Sequence, residues 1–282
     1  MALLTDTHVQ AAGDVTLEAT NATTLTATFD NSLESSGSGF TGQNSMAASA
    51  VLASNYMASG AEARVRGIAI VPVIDADGDV TVAASDSSDL VSTTTVSLVS
   101  ETESTNIASA DDAMAIGFTS VRNVLDGGTI AEVTDADLTG ATVTVAAENA
   151  ATLEAKLQAA SKAEGGSEFG QGTQLAVGGV IASNTLLGAA TATVADSSLT
   201  STLGAIHVTA ENAAKLDVEN VNQVISGSVA VGVTLAFNSV GYESQNVLFQ
   251  TLDASWAPTS ETSMRLKPVR RSPTHPLPPQ AT

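Results

Sequence analysis

From Val143 the chain alternates with a period of two: Val143, Val145, Ala147, Asn149, Ala151, Leu153, Ala155 and Leu157 share one parity. That period puts a set of residues on one face of a β-strand. The same stretch, ENAATLEAKLQAASKAE, is also rich in good helix formers, so taken alone it fits a helix as well. A second stretch with the same spacing decides between them. SDSSDLVSTTTVSLVSETE, from Ser85, follows Val80, Val82 and Ala84 and continues the parity through Leu90, Val96 and Leu98. It is crowded with Ser, Thr and Val, which compete with or crowd a helical backbone and suit extended chain. Strands are predicted for both.

The two stretches belong to a long repeat. GDVTLEATNATTL from Gly13, GDVTVAASDSSDL from Gly78, ATVTVAAENAATL from Ala141 and GAIHVTAENAAKL from Gly204 align on Asn21, Asp86, Asn149 and Asn212, spaced by 65, 63 and 63 positions. A second set, VLASNYMASG, TSVRNVLDGG, VIASNTLLGA and TLAFNSVGYE, aligns on Asn55, Asn123, Asn184 and Asn238. An acidic turn recurs as DADGD at Asp75, TDADLTG at Thr134 and ADSSLTSTLG at Ala195. Each unit reads as strand, variable connection, strand and polar turn.

A unit of this kind buries its apolar face only by stacking on its neighbours. The expected fold is all-β, a right-handed parallel β-helix or β-solenoid built from about four repeats of about 63 residues. Three coils of roughly 20 residues per repeat would give a body on the order of 50–60 Å long. The aligned Asn and Asp positions are expected to stack, inside a corner or at its edge. Arrays of small β-sandwiches, and a solenoid with outer alanine-rich helices, are the competing folds. The expected divisions are a lead-in at 1–11, the solenoid at 12–255 and a tail at 256–282. From Met264 that tail holds four of the ten basic residues and five of the seven prolines, which cannot continue a strand ladder.

Composition agrees with thin, repetitive layers: aromatic residues make up 3%, and the apolar share is mostly alanine and valine. A net charge of −20 argues against nucleic acid and against anionic membrane surfaces as partners. Cysteine is absent, which removes disulfides and thiolate chemistry. No apolar run is long enough for a transmembrane helix. MALLTDTHVQ has neither a basic n-region nor a long apolar h-region, so any export signal is expected to lie outside this chain.

Candidate chemistry is sparse. Asp75, Asp77 and Asp79 offer hard oxygen ligands, and weak calcium binding is expected there, with Asp135 and Asp137 on a neighbouring coil as helpers. An EF-hand is ruled out, because Val80 stands where the loop needs glycine and Asp86 where it needs glutamate. No other cofactor is expected. His8, His207 and His275 are scattered, so no histidine-centred active site is expected and the chain reads as noncatalytic. GGSEFGQG from Gly165 lacks the residues of a phosphate loop. Trp256, Tyr242 and Phe249 form either a contact patch or a cap against Leu248 and Leu252.

The pattern G-x-V-x-V-x-A-x-N-x-A-x-L-x-A, carried by Val143, Val145, Ala147, Asn149, Ala151, Leu153 and Ala155 and followed by Gly179, Ala182 and Asn184, resembles very large repetitive bacterial adhesins. These are of the filamentous-haemagglutinin and calcium-binding repetitive type, and the resemblance spans roughly residues 12 to 255. It implies a stalk exposed at the bacterial surface or secreted, which attaches to cell-surface or matrix macromolecules, glycans included, as part of a longer protein. End-to-end self-association is a further expected partner mode. The chain lacks the GGxGxD calcium nonapeptide and any recognisable anchoring domain, and a truncated or frameshifted reading frame would explain its basic end. The alternative is a β-helix that binds or cleaves polysaccharide.

Overall fold

Residues one repeat apart lie directly over one another. In the computed structural model, which describes residues 1–40, 42–104, 110–165 and 172–241, every strand is parallel to its neighbours and no helix occurs among the described residues. Val15, Val80, Val143 and Ile206 are in register in one row, and Thr24, Asp89, Thr152 and Lys215 in the next.

Four rows make up each circuit. Long strands form the first: β1 (Ala2–Thr5), β5 (Asn44–Arg66), β9 (Asp112–Thr134), β13 (Gln174–Ala195) and β17 (Val229–Val240). Four-residue strands form the second: β2 (His8–Ala11), β6 (Val73–Ala76), β10 (Asp137–Gly140) and β14 (Ser198–Ser201). The third holds β3 (Val15–Asn21), β7 (Val80–Asp86), β11 (Val143–Asn149) and β15 (Ile206–Asn212). The fourth holds β4 (Thr24–Gly39), β8 (Asp89–Ser104), β12 (Thr152–Glu164) and β16 (Lys215–Ser226).

The parallel β-solenoid is therefore present, and the alanine-rich stretch after Asn149 is strand, not helix. One repeat is one coil, however, not three. The segments read as variable connections are themselves strands of up to 23 residues, so each circuit is wide and the stack is short. Four coils at the ordinary strand spacing rise only about 20 Å, not 50–60 Å. Ala2–Thr5 and His8–Ala11, expected to precede the repeat, already pair with Ala63–Arg66 and Val73–Ala76. Residues Met1–Ser244 form one compact unit, and 242–282, which hold Tyr242, Phe249, Trp256 and His275, lie outside the described residues. So does most of the glycine-rich stretch after Gly165.

The long row faces the other three across a narrow interior. Along β5, Ala47 and Val51 pack with Val96 and Leu98 of β8, and Met57 with Leu90 at the other end of that strand. Ala61, Ala63 and Val65 then meet Ile74, Val80, Val82 and Ala84 of β6 and β7. Each apolar residue also stacks on its mates one coil away, as Leu125 does between Met57 and Leu186. Alanine and valine suffice because the two walls are close and the coils repeat. Burying each valine or leucine contributes roughly 1.5–3 kcal/mol.

Leu125 is fully buried and touches the walls on both sides. Leu125→Ala is expected to destabilise the protein by about 2–5 kcal/mol in urea unfolding, whereas Thr144→Ala, on the outward parity of β11, should stay within about 0.5 kcal/mol. Equal effects at the two positions would contradict this assignment of inside and outside.

Candidate functional site

Two polar ladders run through the interior. Asn55, Asn123, Asn184 and Asn238 are in register on consecutive long strands. Each Nδ2 donates to the Oδ1 of the next: Asn55 to Asn123 at 2.7 Å, Asn123 to Asn184 at 2.8 Å, and Asn184 to Asn238 at 2.9 Å. Asn55 Nδ2 also donates to Ser92 Oγ on the facing wall. A buried amide is costly unless bonded, and here each is satisfied by its repeat-mate, so the ladder rewards one register over any slipped alternative.

The second ladder, Asn21, Asp86, Asn149 and Asn212, ends the third row at the corner into the fourth. Its side-chain oxygens accept from the backbone two residues on: Ser88 N to Asp86, Ala151 N to Asn149 and Ala214 N to Asn212. This is the local Asx bond that turns a strand, and in the first coil Asn21 Oδ1 accepts from the Thr23 hydroxyl instead. The side chains point inward at the long wall, where the facing row holds Ser59, Gly127 and Gly188. Ser59 Oγ donates to Asp86 Oδ2 at 2.7 Å, and Asn212 Nδ2 to the carbonyl of Gly188 at 2.9 Å. A Cβ on Gly188 would come within 2.5 Å of Asn149 Nδ2, so the wall must be bare there. Asp86 is buried and accepts from Ser88, Ser59 and Asn21.

Of the aspartates considered for calcium, Asp79 and Asp135 serve corners. Asp79 N donates to Asp14 Oδ1 at 2.9 Å, and Asp79 Oδ1 accepts from Thr142 N of the next coil at 3.0 Å. Asp75 is exposed in β6 and pairs in register with Thr139, two positions from Asp137. Asp135, with Asp6 and Asp196, holds a left-handed backbone at the corner after a long strand, a conformation aspartate tolerates. Among the described residues no group of three or more His, Cys, Asp or Glu stands close enough to hold a metal ion. His8 and His207 lie on β2 and β15, in different rows.

The outside of the circuit is uneven. The fourth row shows polar side chains outward, such as Thr152, Glu154, Lys156 and Gln158, with Lys156 bound to Glu154 at 2.7 Å. The first half of the long wall is apolar outside as well as inside. Its outward columns are Met46, Met114, Leu175 and Val229, then Ala48, Ile116, Val177 and Val231, with Leu52, Phe118, Ile181, Val233 and Leu235 beyond. Met46 and Leu52 are 64% and 67% exposed, too open for core. Four strands by about ten residues give a face of about 600 Å², at the upper end of what soluble monomers carry and a mark of contact surfaces. The second half of the wall changes character at Glu62, Arg64, Arg66 and Glu132. Arg64 Nη1 and Arg66 Nη2 both bind the Glu132 carboxylate, the latter at 2.8 Å, and Arg64 Nε binds Glu62 at 3.1 Å.

Beside it an open cleft is lined by Asn21, Ser59, Gly60, Glu62, Asp126 and Gly127, with the Tyr56 hydroxyl 3.5 Å from Asp126 Oδ2. A single parity of the sequence does not reveal the apolar columns. AMAIGFTSV, LAVGGVIAS and VAVGVTLAF carry apolar residues on both parities, the mark of a strand that is apolar on both faces. Comparison with protein-family models, with curated proteins and with solved structures finds no match for this chain. No helix of the described residues is long and apolar enough to cross a membrane.

The hydrogen bond from Arg66 lowers the pKa of Glu132, aided by Thr134 and by the charges of both arginines. A carboxylate lowered on folding adds stability above its ordinary titration range, and that stability is lost as pH falls through the lowered value. Glu132→Gln is therefore expected to be clearly less stable than the parent at pH 7, with the gap narrowing as pH falls into the acid range, read from urea midpoints. A gap that stays constant or widens in acid would contradict the pairing.

Proposed function

We propose that the solenoid is a noncatalytic structural and adhesive segment of a bacterial surface or secreted protein, one that meets its partners through the apolar outer face of the long wall. The observation that carries this reading is repetition on the outside. Met46, Met114, Leu175 and Val229 form one outward column and Ala48, Ile116, Val177 and Val231 the next, so each coil adds the same small contact. Many weak identical contacts held on one rigid body give strength without a pocket. The acidic exterior keeps bodies apart in solution, while the apolar face offers one uncharged side to a cell-surface or matrix macromolecule. The filamentous-haemagglutinin-like resemblance supports the same reading and brings with it a place outside the cell within a longer protein.

A polysaccharide-binding or polysaccharide-cleaving role is the second reading, supported by the cleft with Glu62 and Asp126 beside Tyr56. The two separate in one experiment. Retention of the full chain would be measured on alkyl-coated, matrix-protein-coated and polysaccharide-coated surfaces, for the parent, for Leu52→Glu/Ile116→Glu and for Asp126→Asn. The adhesive reading expects the apolar-face variant to lose at least tenfold in retention on the first two surfaces while keeping its strand spectrum. Retention, or release of sugar ends, that depends on Asp126 alone would favour the glycan reading and overturn the first.

A further inference from the structure

The two ends of the coil stack match each other and not themselves. The amide ladder has a direction: every Nδ2 donates toward the C-terminal coil. Among the described residues nothing accepts from Asn238 Nδ2 at one end, and nothing donates to Asn55 Oδ1 at the other. Backbone N–H groups donate both ways, and at the start of each third-row strand one of them donates toward the C-terminal coil. Val15 N donates to Asp79 O, Val80 N to Thr142 O and Val143 N to Ala205 O. Ile206 is next in that series, and its N–H faces the open side. Ile206 and Val208 occupy inward positions, yet they are 46% and 47% exposed, with no coil over them among the described residues.

The ends are also stepped in complementary ways. Among the described residues β17 covers Leu175–Leu186 of β13 and nothing pairs with 187–195 on that side, whereas β1 covers only the last four residues of β5. Setting Asn55 of a second copy over Asn238 brings that copy's β1 over Ala192–Ala195, where no described strand pairs on that side, by the register the coils already use. The third row then places Val15 on Ile206, Leu17 on Val208 and Asn21 on Asn212, as the coils within one chain do.

We propose that the occupant of each end is a second copy of this chain, stacked head to tail on the C-terminal coil so that Asn238 Nδ2 donates to the partner's Asn55 and the solenoid continues across the junction. Head-to-head or tail-to-tail pairing would set donor against donor or acceptor against acceptor. A head-to-tail contact does not close on itself, so stacks would grow in steps of about four coils, roughly 20 Å per copy. The argument uses the coil ends and not the apolar wall, so its failure leaves the proposed contact face untouched.

The chain has no cysteine, which makes directed crosslinking clean. Thr20 and Glu211 occupy one outward column, on the first and last coils of the third row. Under mild oxidation, full-length Thr20→Cys mixed with Glu211→Cys is expected to give covalent dimers, each variant alone at least tenfold fewer. Asn238→Asp keeps the acceptor for Asn184 but removes the donor, and should weaken association at least tenfold in sedimentation velocity. Ile206→Pro, which deletes only the outward N–H at a strand start, should act alike. Crosslinks in the single-variant samples, a monomer at 100 µM, or association abolished by Leu52→Glu and untouched by Asn238→Asp would overturn the proposal.

Discussion

In-register parallel pairing between coils one repeat apart is the constraint on which this molecule depends. Once Val80 is over Val15 and Val143 over Val80, every side chain inherits its vertical neighbours from the sequence one repeat away. Apolar residues then stack on apolar residues, and inward polar ones bond to a repeat-mate, as Asn123 does, or to the facing wall, as Asp86 does. A slip of one residue would reverse inside and outside along strands of up to 23 residues, and would strand the interior amides without partners. The asparagine ladders thus fix the register, and the alanine and valine layers supply the burial.

The same constraint explains why so small an aromatic content is enough. Two walls that approach closely leave room for Ala, Val, Ser and a single layer of Leu or Met, and a larger residue in one coil would be felt by the coils on either side. Where the second ladder projects inward, the facing wall shrinks to Ser59, Gly127 and Gly188. Polar corner and bare wall are one feature seen from two strands.

The fold class, the strand nature of the segment after Asn149 and the alignment of the repeats could be read from period-two alternation and from spacing. The width of the coil could not. The connections between aligned segments differ by insertions such as 67–72, and their strands are apolar on both parities, so they lack the alternation that marks a half-buried strand. For the same reason the outer apolar face is not legible in the sequence, since Ile116 and Val177 look like core there and stand on the outside in space. The aspartates at 75, 77 and 79 are close in sequence, and the Asp79 carboxylate also serves the fold by accepting from the backbone of the next coil. Function is legible only as a surface: a rigid, acidic, repeated body with one apolar side.

The most direct test places nitroxide labels at Thr81 and Thr144, outward residues one repeat apart on adjacent strands. If one repeat is one coil, their backbones are about 4.8 Å apart and the continuous-wave spectrum at low temperature is strongly broadened by dipolar coupling. If a repeat instead wound three coils, the separation would be about 14–15 Å and the broadening would largely vanish, which would contradict the account.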